Sequence, residues 1–270
     1  MDTPLVSVLM TAYNREQYIA EAIKSVLAST YKNFELIIVD DCSIDNTFNI
    51  VKNYAQKDTR INVFKNDKNI GDYPNRNKAA SYAKGKYLKY LDSDDIIYSH
   101  GLGVMVDCME AFPNAGYGLS ANGGIKGPYP ICLSPRETYK EHFFIYKFDH
   151  FNRAPGSSII NHKAFKKVGG FSGKRMIGDY EMWMKLSRYY SLVKMPRDLV
   201  WDRTHTDQES KSNYAKQYDL LKKEVLLEAL THPDGPLAKE EVKRIQLMQK
   251  QKLKKQYYQK ILRRIKFILD

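Results

Sequence analysis

The sequence predicts an α/β protein, a mostly parallel central sheet flanked by helices, with a helical C-terminal extension. Three observations carry that prediction. Short apolar, β-rich runs alternate with amphipathic segments between Val6 and Leu91, the spacing of strands joined by crossover helices. Two of those runs end in carboxylates, at Asp40-Asp41 and at Asp92-Ser93-Asp94-Asp95, and such sheets bind ligands beyond the carboxyl ends of their strands. Near residue 213 the β-rich runs give way to helical pattern. With 270 residues, 43% hydrophobic and 12% aromatic, the chain has the length of one large domain with an extension. It also has the apolar content to bury a core, which argues against a disordered chain.

In chain order, Val6 to Ala12 is a continuous apolar run and reads as a buried strand. Acidic Asp2 precedes it, without the basic flank and cleavage site of a secretory leader. The pattern then predicts a helix near Glu16 to Leu27, a strand over Phe34 to Val39, a helix near Asn46 to Ala55 and a strand over Ile61 to Phe64. A helix near Asn75 to Ala83, entered through Gly71 and Pro74, leads into the strand Tyr87 to Leu91. From about Gly116 to Ser172 the chain is rich in Gly, Pro and aromatics and predicts few definite elements. A helix begins near Gly178-Asp179 with Trp183 and Leu186 inward, and two more span Tyr214 to Leu230 and Lys239 to Leu269. No run approaches the roughly 18 to 20 apolar residues of a membrane span, so membrane contact would be peripheral. Cys42, Cys108 and Cys132 form neither a disulfide framework nor a metal pair, which suits a reducing cytoplasm.

The acidic strand ends carry the chemistry. In an extended segment Asp92 and Asp94 would point the same way and Asp95 across. Carboxylates crowded in this way need a cation or hydrogen-bond donors. All-oxygen ligation suits Mg²⁺ or Mn²⁺ with coordination positions left for water and phosphate, whereas the same residue types also build Asx turns and helix N-caps. Asp40 and Asp41 beside Ser43 leave a like choice between reading a base or ribose and closing a capped turn. Arg76 falls in the early turns of its helix, where the dipole does not favour a cation, so either an anionic partner or plain solvation accounts for it.

Together these residues resemble the family 2 glycosyltransferases, inverting enzymes of the GT-A fold that use nucleotide sugars. Val6 to Asn14, Val39 to Ser43, Asn69-Ile70-Gly71 with Arg76-Asn77, and Leu91 to Asp95 stand in the family's order. The likeness resumes at Lys167 to Phe171 and at Gly178 to Trp183. It implies a GT-A-like domain over 1–213, with a nucleotide-sugar half to about 98 and an acceptor half beyond, followed by a helical extension over 214–270. It further implies that Thr11, Tyr13 and Asp41 hold the nucleobase and Arg76 approaches the phosphates. Asp92 would serve the ribose, and Asp94 and Asp95 a Mn²⁺ or Mg²⁺ ion, with His205 a possible further ligand. A carboxylate at Asp41 can accept from uracil N3–H, but thymine and guanine also offer an N–H, so UDP is a preference and not a deduction. Inverting transfer needs a carboxylate to take the acceptor hydroxyl's proton. Asp179 is the candidate base and Glu181 the alternative, although Gly178-Asp179 stands where many relatives carry Glu-Asp, and Asp179 also reads as a helix N-cap.

The formal charge is +12, from 43 basic against 31 acidic residues, and its distribution bears on partners. Residues 238–270 hold eleven basic side chains against three acidic ones, a net +8. Leu253, Tyr257, Ile261, Ile265 and Ile268 recur there at helical spacing. A basic amphipathic helix of this kind suits an anionic membrane surface through 239–270, or else packs on the domain or on another subunit. The expected acceptor is therefore a glycan or lipid-linked glycan, and the enzyme is cytoplasmic or peripheral on the membrane's cytoplasmic face. Three competing readings fit less well. A sugar-nucleotide pyrophosphorylase would need a Gly-rich basic loop after the first strand, where Thr11-Ala12-Tyr13-Asn14 stands. A nucleic-acid-binding protein would spread its charge along a groove with stacking aromatics, and a dinucleotide enzyme would need G-x-G-x-x-G at that same place.

Overall fold

The apolar run Val6–Ala12 forms β1, the parallel strand around which the sheet is built. Its alternate residues serve both faces: Val6, Val8 and Met10 enter one core cluster and Leu9 the other. That two-sided burial is why the run is continuously apolar and not alternating. Phe34–Asp40 (β2) lies beside it, Val6 opposite Phe34 and Ala12 opposite Asp40. Tyr87–Tyr90 (β4) flanks the other side, with Val6 opposite Tyr87 and Leu9 opposite Tyr90. Ile61–Lys65 (β3) extends the parallel set beyond β2. The connections are α1 (Ile19–Leu27), α2 (Thr47–Ala55) and α3 (Asp72–Ser81). The computed structural model describes residues 3–121, 128–145, 150–204 and 218–251.

The stretch from Gly116 to Ser172, indistinct in sequence, contains regular structure. After β5 (Ile96–Ile97) and α4 (Gly101–Glu110) come β6 (Tyr117–Ser120), β7 (Ile131–Leu133), α5 (Pro135–Phe144), a 3₁₀ turn at Pro155–Ser157, β8 (Ser158–Asn161) and α6 (His162–Lys167). Short strands without alternation explain why periodicity misses them. The start of α5 carries a signal that the sequence reading passed over, since Ser134-Pro135-Arg136-Glu137 is a capping box with Pro at N1, and both of its reciprocal hydrogen bonds form. Asn161 likewise caps α6, accepting from Lys163 and Ala164 N–H.

The chain closes with α7 (Gly178–Tyr189), β9 (Leu192–Met195), β10 (Val200–Trp201), α8 (Tyr218–Thr231) and α9, helical from 239 to 251. The eight-stranded sheet runs β3-β2-β1-β4-β8-β6-β9-β7, parallel from β3 to β4 and between β6 and β9, antiparallel where β8 and β7 pair. β10 and β5 form a separate antiparallel pair. Ile19, Ile23, Val51 and Leu102 cover one face, and Ala79, Phe165, Trp183 and Leu186 the other. Val225 and Ala229 of α8 belong to that second cluster, so the helical extension packs on the sheet domain. In α9, Ile245 is buried and Glu241 pairs with Arg136 (3.1 Å) and Lys140 (3.3 Å) of α5.

Candidate active site at the strand ends

β1 turns to β2 on one side, and β4 pairs on its other side, so the crevice beyond their carboxyl ends lies where strand order reverses. The loops after β1 and β2 are laced together there. Asn14 N–H donates to Ser43 Oγ (2.9 Å), and Ile44 N–H donates to Asn14 Oδ1 (3.0 Å). The paired acids divide their tasks. Asp40 closes the turn, accepting from Ser43 N–H (3.0 Å). Asp41 reaches across to the Asn69-Ile70-Gly71 loop, accepting from Asn66 Nδ2 (2.7 Å), Ile70 N–H (2.9 Å) and Gly71 N–H (2.9 Å). Since a carboxylate offers about four acceptor positions, a nucleobase N–H would find roughly one left. Thr11 stands near the end of β1, half-buried, and Tyr13 just beyond it, 43% exposed.

At the end of β4 the backbone turns, Asp95 N–H donating to Asp92 C=O (3.0 Å). The extended geometry expected from the sequence is thus replaced by a turn, and in place of pointing Asp95 across, it gathers all three acids. Ligand oxygens of Asp92, Asp94 and Asp95 lie within 4.8 Å of one another. Turn and acid cluster, alternatives in the sequence, are here the same feature. Arg15 Nε is 3.1 Å from Asp94. Asp95 accepts the Arg203 N–H (3.0 Å), and Arg203 Nε donates to the Asp94 carbonyl (2.9 Å). Burial, aided by the charges of Asp92, Asp94 and Asp202, pushes the Asp95 pKa up to about 7. A carboxyl held protonated by desolvation and its neighbours' repulsion is a group that a divalent cation would relieve, and the all-oxygen donor set suits Mg²⁺ or Mn²⁺. The residues fit such an ion.

Of the two accounts open for Arg76, an anionic partner and plain solvation, the structure supplies a partner. The side chain is buried, 6% accessible. Nε donates to Asp72 (2.8 Å) and Nη2 to Asp92 (2.7 Å), with the guanidinium 5.7 Å from the Tyr90 ring centroid. Two carboxylates supply the anionic partner. Lys89, a cation in the middle of β4, is wholly buried and donates to the Tyr90 carbonyl (2.8 Å) and to that of Gly156. Burial pulls its pKa down to about 7 against the charges of Asp92, Asp95 and Asp202. Sequence reasoning missed Lys89, and a lysine in an otherwise apolar strand was the available signal. Arg15 and Arg203 were also missed, since their partners are remote in sequence.

Asp179 lies in the first turn of α7, but the N-cap is Ile177, so Asp179 is not the capping residue. Its N–H donates to the Tyr73 hydroxyl (3.2 Å), and its Oδ1 accepts from Tyr180 N–H (2.7 Å). Burial pushes its pKa up to about 6, opposed by the Tyr180 N–H and the charge of Arg76. Glu181 sits elsewhere, buried among Lys174 (2.9 Å), Lys185 (3.6 Å) and the Ser172 hydroxyl. Its two lysines and hydroxyl give it a structural ion-pair setting that Asp179 does not have. His205 lies outside the described residues. Beyond the acid cluster a cleft of about 260 Å³ is lined by Ser120, Arg153, Ser157, Arg197, Asp198 and Asp202, among others.

The model of glycosyl transferase family 2 matches residues 7–169. The chain is similar to an uncharacterized glycosyltransferase of Methanocaldococcus jannaschii, 34% identical over 68% of this chain and 65% of that one. It is also similar to an Escherichia coli UDP-Glc:alpha-D-GlcNAc-diphosphoundecaprenol beta-1,3-glucosyltransferase, 38% identical over 48% of this chain and 52% of that one. The chain therefore spans between half and two thirds of these relatives' lengths. In fold it is similar to S. aureus TarS in complex with UDP-GlcNAc, with TM-score 0.71, 19% identity, 89% of this chain and 70% of that one. The mannosyltransferase PcManGT of Pyrobaculum calidifontis in complex with GDP-Man and Mn²⁺ gives TM-score 0.64, 18% identity, 85% of this chain and 64% of that one.

Proposed function

The chain belongs to glycosyl transferase family 2, and on that premise we propose that it moves a sugar, with inversion, from a nucleoside diphosphate sugar to a hydroxyl of a glycan or lipid-linked glycan. The observation that carries this reading is the gathering of Asp92, Asp94 and Asp95 at the switch point of the sheet. Asp94 and Asp95 would hold Mn²⁺ or Mg²⁺, and such an ion, when bound, supplies electrostatic stabilisation of the departing diphosphate. Thr11, Tyr13 and Asp41 take the nucleobase, whose ring N–H suits the remaining acceptor position of Asp41, and UDP is preferred because a similar E. coli enzyme is named for a UDP-sugar donor. Asp92, fixed by Arg76, takes the ribose. Arg76 serves the nucleotide through Asp92, since its own guanidinium is buried. The cleft beside Asp202 receives the acceptor, its Arg, Asp and Ser side chains matching hydroxyl donors and acceptors. Asp179 removes the acceptor hydroxyl's proton as that oxygen bonds the anomeric carbon and the diphosphate departs with the former glycosidic electron pair.

The relatives support this substrate class, because the E. coli enzyme is named for a UDP-sugar donor and a lipid diphosphate acceptor. A thermal-shift panel of UDP, GDP, dTDP and CMP, each with and without Mn²⁺, tests it. A ligand present at about 100 times its Kd stabilises the fold by about 2.7 kcal/mol, so UDP with Mn²⁺ should raise the Tm clearly and UDP with EDTA much less. A panel in which no nucleoside diphosphate stabilises the protein, with or without metal, overturns the donor reading.

A further inference from the structure

Arg15 is where the loop after β1 meets the acid cluster. Its backbone is fixed between two helices. The N–H donates to Thr47 Oγ1 (2.7 Å) at the start of α2, and the carbonyl accepts from the N–H groups of Tyr18 (3.0 Å) and Ile19 (3.0 Å) at the start of α1. Just before it, Asn14 takes a left-handed backbone with φ 53°, a conformation that asparagine tolerates. Beyond that turn the Arg15 side chain folds back over its own loop, and Nη1 donates to the carbonyls of Tyr13 (3.3 Å) and Asn14 (3.1 Å). From the same guanidinium, Nε reaches Asp94 Oδ2 at 3.1 Å, 79 residues away in sequence.

A guanidinium is planar and its donors stand in a fixed fork. Holding Nη1 on the two loop carbonyls therefore sets the direction of Nε, and with it the carboxylate that Nε holds. As an ion pair the contact adds little stability, since the side chains of Arg15 and Asp94 are 26% and 16% accessible. Its position gives it another use. The hydrogen-bond partner of a metal-ligating carboxylate sets that ligand's orientation, and losing it weakens metal binding by about 10- to 100-fold. We propose that Arg15 is a positioning residue that couples the nucleobase loop to the metal: it holds Asp94 in the ligating arrangement, and a base seated on Tyr13 stiffens the loop that holds Arg15. This rests on the reading of Tyr13 as a nucleobase contact and of Asp94 as a metal ligand. A nucleoside and a divalent cation then bind cooperatively with no diphosphate to bridge them, each raising the other's affinity by the same factor.

Uridine, which has the base but no phosphate, separates this coupling from ligation of the ion by a diphosphate. Titration of the full chain with Mn²⁺, read by the EPR signal of the free ion, gives the Mn²⁺ Kd with and without uridine. In the wild type uridine should lower that Kd about fivefold, the low end of usual coupling between sites. Arg15→Met should raise the Kd without uridine by about tenfold and abolish the effect of uridine, with the Tm close to wild type. Arg15→Lys keeps the charge but replaces the fork with one ammonium, so it should bind Mn²⁺ more tightly than Arg15→Met and still lose the coupling. Should Arg15→Met not fold, the loss of coupling in Arg15→Lys decides the matter. A purely structural contact would lower the Tm of Arg15→Met and leave its Mn²⁺ Kd and the uridine effect as in the wild type, and that result overturns the proposal. So does tighter Mn²⁺ binding in Arg15→Met, which would mean that the guanidinium competes with the ion, and so does a wild type that binds UDP with Mn²⁺ but shows no effect of uridine on the Mn²⁺ Kd. A wild type that binds neither Mn²⁺ nor UDP would remove the proposed function itself, and the role of Arg15 with it.

Discussion

At the scale of single residues, the two candidate bases lie one helical half-turn apart in very different surroundings. Asp179 is half-buried, held by the Tyr180 N–H with desolvation raising its pKa, whereas Glu181 is tied to two lysines and a hydroxyl. Asp179→Asn should retain nucleotide binding and lose turnover by about 10² to 10⁴-fold. Glu181→Gln should lose stability by about 1 kcal/mol, since Lys174 and Lys185 lie partly in solvent, with turnover per folded molecule close to wild type. Steady-state kinetics beside urea denaturation separate the two. Two other groups predict an unusual pH response. Asp95 is raised from its ordinary 3.8 to about 7, so its contribution to stability, present at low pH, is lost as pH rises through about 7. Lys89 is lowered from 10.5 to about 7, so its contribution, present at high pH, is lost as pH falls through about 7. As far as these two groups go, the metal-free fold is least stable near neutrality. Because a ligating carboxyl must be deprotonated, the Tm increment from added Mn²⁺ should be larger at pH 8 than at pH 6, and Asp95→Asn should abolish the difference. An increment independent of pH in the wild type would count against Asp95 as a ligand.

At the scale of elements, legibility in the sequence followed the kind of signal. β1 and β2 are seven-residue apolar runs, and the structure assigns them nearly where periodicity does, with β4 one residue shorter than expected. α3 begins at Asp72, three residues before the predicted start, because its entry through Gly71 is followed by residues whose burial is set by Arg76 and Tyr73, not by an apolar stripe. β6, β8 and β9 were invisible because four-residue strands carry too few positions to show a period. The acid cluster was legible as composition, but its convergence depends on a turn, and the arginines that balance it come from residues 15, 76 and 203. Those pairings are tertiary facts that no local window contains. Gly178, unusual beside Asp179, also acquires a reason at this scale. A Cβ there would stand 2.8 Å from the Tyr73 ring, so α7 can seat on α3 only with glycine at this point. Gly178→Ala should therefore cost about 1 to 3 kcal/mol, the usual range for overpacking, and lower turnover more than nucleotide affinity. Wild-type stability in urea would mean that the Tyr73 ring yields without strain.

For the whole molecule, the open question in the sequence was the use of its charge, since residues 238–270 carry +8 of the +12. Of the two uses weighed for it, packing accounts for the extension as far as residue 251. Through 251 the extension packs: Val225 and Ala229 enter the core, Ile245 is buried, and Glu241 binds α5. No helix among the described residues is long and apolar enough to cross a membrane. Residues 252–270 lie outside the described set, and within them stand Lys252, Lys254, Lys255, Lys260, Arg263, Arg264 and Lys266 against Asp270, with Ile261, Ile265 and Ile268 at helical spacing. Each basic residue close to an anionic surface is worth roughly 1 kcal/mol and fades over a Debye length, while apolar burial adds a contribution that salt does not screen. Flotation with vesicles containing phosphatidylserine should therefore capture the full chain at low salt and release much of it at high salt. Ile261→Asp with Ile265→Asp should weaken capture beyond the loss of attraction from two added negative charges, which a pair of substitutions at polar positions, Gln256→Asp with Gln259→Asp, measures. The packing through 251 locates the informative truncation: ending the chain after Gln251 should abolish capture and leave the Tm unchanged, whereas ending it before Lys239 removes Ile245 and Glu241 and should lower the Tm as well. Equal flotation of the full chain and the chain ended after Gln251 would remove the membrane role from the tail and, with it, the main physical support for a lipid-linked acceptor.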